Sequence, residues 1–129
     1  MPTFLYNILL VGLGSCVGGI VRYLVSKLIN DNTASAFPWG TLAVNLLGCF
    51  IIGFIYGLID RGFSLSAGMK LFLTVGFCGG FTTFSTFMHE NYLLFGGGNP
   101  ILFISYMAVS VIFGLLLVYS GFYLSSIAR

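Results

Sequence analysis

Four long apolar runs confine this chain to one class of structure. Only three short polar stretches part them: "NDNTAS" at 30–35, "DRGFSLSAG" at 60–68 and "GGGNP" at 96–100. In lipid a backbone must satisfy its own hydrogen bonds, so apolar runs of this length fold as membrane-spanning helices. Charged residues are 6% of the chain and mean hydropathy is +1.06. Soluble domains carry roughly a quarter charged residues.

A span takes about 20 residues, so four helices with short links use up the chain and leave no room for a folded extramembrane domain. The pattern predicts spans near 3–29, 38–59, 69–95 and 100–127 in a single transmembrane unit over 1–129. Pro38 and Pro100 suit first helical turns, and Trp39 is an interfacial aromatic. "LGSC" at 13–16 resembles a lipoprotein cleavage box, yet no Lys or Arg precedes it and the apolar pattern continues past Cys16. The first segment is therefore expected to be a retained span. Cys16, Cys49 and Cys78 lack CxxC spacing and are odd in number, so they read as packing residues. A net charge of +2 offers no electrostatic footprint for nucleic acid.

Four spans put both termini and the second loop on one side of the membrane. That side carries Arg61, Lys70 and Arg129; the other carries Lys27, with Arg22 expected to snorkel toward it. Three against two is little bias, which predicts dual topology and, from two opposed copies, an antiparallel homodimer. If Lys27 and Arg22 lie too deep to count, the bias instead places the termini inside. Gly14–Gly18, Gly53–Gly57 and Gly76–Gly80 have GxxxG spacing and predict close helix packing.

Polar side chains at membrane depth are costly unless partnered or facing water, which makes each a functional candidate. Thr41 and Asn45 are four apart and share one face of the second span. Asn45 can act as interhelical glue or line a path. Tyr106 and Ser110 repeat that spacing in the fourth span, and Gly114 and Val118 continue the stripe. The third span holds "GGFTTFSTF" at 79–87. Gly79 and Gly80 are expected to interrupt the helix there, freeing carbonyls for a cation and amides for an anion. The hydroxyls of Thr82, Thr83, Ser85 and Thr86 lie alongside. Phe84 and Phe87, three apart, either pack as core or present positive ring edges to an anion. Glu90 and His89 follow, nearer a vestibule.

With Asp31 and Asp60 in the links, the deep donors are uncharged and fit a small anion better than a cation. There is one His, and no HExxH, GxSxG or P-loop, so an enzyme is disfavoured. No buried titrating group supports proton coupling, which leaves a passive pathway.

"GTLAVNLLGCF" at 40–50, "GFCGGFTTFSTF" at 76–87 and "GGIVRY" at 18–23 together resemble the signature segments of the Fluc (CrcB) fluoride channels, over essentially the whole chain. The resemblance implies an all-α membrane protein of the inner or plasma membrane, with four helices per subunit and the third broken near mid-membrane. It implies an antiparallel, dual-topology homodimer with two pathways that passively export cytoplasmic fluoride. It implies one structural sodium (Na+) at the dimer centre, held by backbone carbonyls at Gly79 and Thr82 of both subunits. Phe84 and Phe87 match the phenylalanine box and Asn45 the pore amide. Ser85, Thr86, Tyr106 and Ser110 match the hydroxyl track, and Thr41 and Glu90 fall near the vestibules. At Gly114 and Val118 this chain departs from relatives whose polar track runs farther. Two other functions fit its size: a small dual-topology multidrug exporter, which needs a carboxylate in the first span, and a non-transporting packing subunit, which the GxxxG pairs favour.

Overall fold

The computed structural model describes residues 2–127, which hold helices and no strand. Arg129, counted above toward orientation, lies outside the described residues. The helices are α1 (Thr3–Asp31), α2 (Trp39–Asp60), α3 (Ala67–Leu71), a π-helical segment (Phe72–Cys78), α4 (Gly79–Phe81), α5 (Ser85–Gly96) and α6 (Pro100–Leu124). The third span, Ala67–Gly96, is thus composite; with Thr3–Asp31, Trp39–Asp60 and Pro100–Leu124 it makes four helices long and apolar enough to cross a membrane.

Helix ends follow local chemistry. α1 runs two residues past the expected end at 29, where a Lys27–Asp31 ion pair of 3.1 Å spans its last turn and Asn32 Nδ2 donates to Leu28 O at 2.7 Å. α6 stops at Leu124, short of the expected 127, and residues 125–127 form a turn.

Glycines set two close helix pairings. α1 packs on the third span: a Cβ at Gly14 would lie 2.9 Å from Gly76 Cα, one at Gly18 2.9 Å from Phe81 N, and one at Gly80 2.6 Å from Ser15 O. α2 packs on α6, where Gly53 meets the backbone of Val118 and Gly121 that of Phe50 and Phe54. Arg61 ties the ends of that pair. Its Nη1 donates to Gly57 O (3.2 Å), Phe122 O (3.0 Å) and Ser125 Oγ (2.7 Å), and its guanidinium lies 4.9 Å from the Phe122 ring centre. All three GxxxG pairs therefore work within one subunit, and none calls for a partner in a packing role.

The break in the third span is displaced from its expected position. Gly79 has helical dihedrals (φ −63°, ψ −37°), and the helix continues through Gly80 to Phe81. Thr82 is extended (φ −96°, ψ 163°), and α5 begins at Ser85. Gly80 serves the approach of α1, while a Cβ at Gly79 would meet nothing within 4 Å. A neighbouring side chain, not glycine flexibility, holds the chain open after Phe81.

Candidate functional site

That side chain is Asn45. Its Oδ1 accepts from Thr83 N at 2.8 Å and its Nδ2 donates to Thr83 O at 3.1 Å. The carboxamide replaces the backbone partners that a continuous helix would give Thr83. Both bonds lie within the subunit, so Asn45 is glue between two spans of one chain and also borders the groove described below.

The hydroxyls beside the break divide into two groups. Thr82 Oγ1 donates back to Cys78 O at 2.8 Å, the same carbonyl that Thr82 N reaches at 3.0 Å. Thr83 Oγ1 accepts from Thr86 N at 3.3 Å and so caps the start of α5. Ser85, Thr86 and Ser110 keep their hydroxyls free of hydrogen bonds among the described residues, and Ser110 Oγ is buried. Asn45, Thr82, Thr83, Phe84, Phe87 and Ser110 all line one groove of about 420 Å³, with Gly79 on its wall. Sequence-selected residues of the second, third and fourth spans thus meet on one surface, while Ser85, Thr86, Tyr106, Thr41 and Glu90 lie outside its lining.

The two phenylalanines differ in setting. Phe84 precedes α5 and is 73% exposed in the subunit, whereas Phe87 is 7% exposed. Their ring centres lie 6.2 Å apart at 49°. Phe87 meets Tyr106 edge-on at 4.8 Å and 72°, the geometry that aromatic quadrupoles favour. Phe37 also meets Tyr106 at 5.3 Å and 68°.

Glu90 does not stand alone at a vestibule. Thr41 Oγ1 donates to its Oε2 and Tyr106 OH to its Oε1, each at 2.8 Å. Thr41 is 5% exposed and Tyr106 fully buried, so three spans meet in this triad. Among the described residues, no Lys, Arg or His forms an ion pair with Glu90. Glu90 also edges a second hollow of about 340 Å³, with Pro38, Leu94 and Asn99. His89, by contrast, is exposed.

Arg22 corrects a further expectation. It does not snorkel to the membrane surface: its Nε donates to Gly80 O at 3.0 Å, two residues before the break. The sequence carried a signal for this contact, since Arg22 lies one helical turn beyond Gly18, on the face that packs against the third span.

The carbonyls at the end of α4 can be accounted for singly. Cys78 O has Thr82, and Gly80 O has Arg22. No described donor reaches Gly79 O, and Thr82 O beyond the break is equally unpaired. Among the described residues, no cluster of His, Cys, Asp or Glu could hold a metal. A cation here would rest on carbonyl oxygens.

Comparison with known proteins finds relatives along nearly the whole chain. The family described as "CrcB-like protein, Camphor Resistance (CrcB)" matches residues 9–122. A Bacteroides fragilis protein named "Fluoride-specific ion channel FluC" is 45% identical over 121 residues, covering 92% of this chain and 94% of its own. Proteins of the same name from Leptospira interrogans (41% identical; 92% and 93% covered) and Chlorobium phaeobacteroides (42%; 98% of each) are similar throughout. With the family match spanning all four helices and such relatives covering nearly the whole chain, this multi-pass membrane protein belongs to the CrcB family.

Proposed function

We propose that this chain is a fluoride channel of the inner, or plasma, membrane, passively exporting cytoplasmic fluoride through two pathways in an antiparallel homodimer. The observation that carries the reading is the groove at the break. The free hydroxyl of Ser110 and the exposed Phe84 ring lie in it beside the Asn45 carboxamide, and no charged side chain lines it. Uncharged donors hold a small anion while allowing it to leave. Fluoride as the cargo rests on the shared name of the relatives. So compact an anion surrenders its water only to several close donors.

In this account Asn45 keeps the groove open, Phe84 and Phe87 offer ring edges, and Ser85, Thr86, Tyr106 and Ser110 form the hydroxyl track. Thr41 and Glu90 line its approach. Gly79 and Thr82 fit a structural sodium, since their unpaired carbonyls are hard oxygen donors suited to a hard cation. When bound, that ion supplies positive charge at the negative end of the α4 dipole. A second copy, packed against the open face of Gly79 and the exposed Phe84, would complete the carbonyl set and enclose the groove.

Opposed insertion of the two copies rests on the family resemblance and on how few Lys and Arg the short links carry, Lys27 on one side against Arg61, Lys70 and Arg129 on the other. Single cysteines in the second loop should be labelled from both sides of intact cells; labelling from one side only rules out dual topology. For the function, cells lacking their own fluoride exporter should hold less fluoride once they express this chain. Unchanged accumulation, with the protein present in the membrane, would sink the reading.

A further inference from the structure

A guanidinium in the middle of a span needs a physical reason, because a charge at that depth is costly and is retained where it has a task. Arg22 is the deepest cation among the described residues, and it neither snorkels nor forms a salt bridge. Its Nε contact with Gly80 O falls on a carbonyl that has lost its helical partner, because the chain turns extended two residues later. The last carbonyls of a helix need donors from elsewhere, and a cation there also opposes the negative end of the helix dipole.

The approach is built by packing. Gly18 and Gly80 let α1 and the third span touch backbone to backbone, and Arg22 projects one turn beyond Gly18. Across the third span, Asn45 holds Thr83 from α2. The break is therefore gripped on both of its sides: Arg22 fixes the last helical turn before it, and Asn45 fixes Thr83 within it. Thr82 lies between these two grips, Gly79 directly precedes the first, and Phe84 directly follows the second.

We propose that Arg22 is a positioning residue of the conduction site. It touches no ion, but its bond to Gly80 O locks the end of α4 and so sets where the Thr82 carbonyl and the Phe84 ring point. The part concerning transport rests on the fluoride-channel reading above; the part concerning the break does not.

The test uses the full chain, as purified and in liposomes, with Arg22→Met and Arg22→Lys. Backbone amide exchange over residues 82–87 reads the break without reference to transport. Arg22→Met should speed that exchange about tenfold or more, with the Arg61 end of the bundle unchanged, and should lower fluoride efflux by a similar factor. Arg22→Lys, which keeps a charge and a donor, should recover most of both. Wild-type exchange at the break in Arg22→Met, or a Lys variant as impaired as the Met variant, overturns the assignment. Should Arg22→Met not fold, Arg22→Lys decides alone: protection retained at residues 82–87 supports the assignment, and protection lost there overturns it. If the parent chain moves no fluoride, the proposed function fails, while the exchange comparison still judges Arg22.

Discussion

Asn45 pairs with Thr83 as one strand pairs with another, accepting from its amide at 2.8 Å and donating to its carbonyl at 3.1 Å. One side chain thereby satisfies both backbone groups of Thr83 within a span, where lipid offers no hydrogen-bond partner.

Removing that side chain should close or collapse the break. Asn45→Ala leaves two part-buried backbone groups unpaired, an expected loss of about 1–3 kcal/mol. Asn45→Asp keeps the acceptor and loses the donor, so it should fall between the Ala variant and the parent. Thermal unfolding of the purified protein checks the order; equal melting of all three would show that the pairing contributes nothing.

Glu90 joins α2 and α6 through Thr41 and Tyr106. Tyr106→Phe and Glu90→Gln should therefore be non-additive, with a coupling of about 1–2 kcal/mol in a double-mutant cycle. Strictly additive losses would mean that the two side chains do not act as a unit.

Gly18 and Gly12 lie on different faces of the same helix and should respond oppositely to alanine. A methyl at Gly18 runs into Phe77 O and Phe81 N, whereas one at Gly12 meets nothing within 4 Å. Gly18→Ala is expected to cost about 1–3 kcal/mol because rigid backbone must move. Gly12→Ala should be neutral or gain up to about 1 kcal/mol in helix propensity. Unfolding measurements on the pair test whether these backbones touch.

Phe84 and Phe87 should separate transport from stability. Phe87→Ile removes an edge-on contact with buried Tyr106 and should cost about 1–2 kcal/mol, together with flux. Phe84→Ile changes a side chain 73% exposed in the subunit, so subunit stability should hold within about 0.5 kcal/mol while fluoride flux falls. Normal flux in Phe84→Ile would remove that ring from the mechanism.

Much of this was legible in the sequence. Apolar run lengths gave the four spans, and i, i+4 spacing put Thr41 with Asn45 and Tyr106 with Ser110 on faces that do meet the third span. The break was expected at Gly79–Gly80 and lies at Thr82–Phe84, because glycine's absent side chain serves two purposes that look alike in a sequence. It loosens a backbone, and it admits a neighbour; here the neighbour is Ser15 of α1. The grips of Asn45 on Thr83 and Arg22 on Gly80 were not legible, since each is a long-range bond from side chain to backbone with no periodic signature. The π-helical segment Phe72–Cys78 likewise left no pattern in hydropathy.

The central claim is that the groove beside this break passes fluoride selectively. The most direct measurement loads liposomes holding the purified protein with fluoride and chloride together and follows both ions with electrodes after dilution. The account predicts prompt release of fluoride with chloride retained. Retention of fluoride by liposomes that contain the folded protein, or equal release of the two ions, would contradict it.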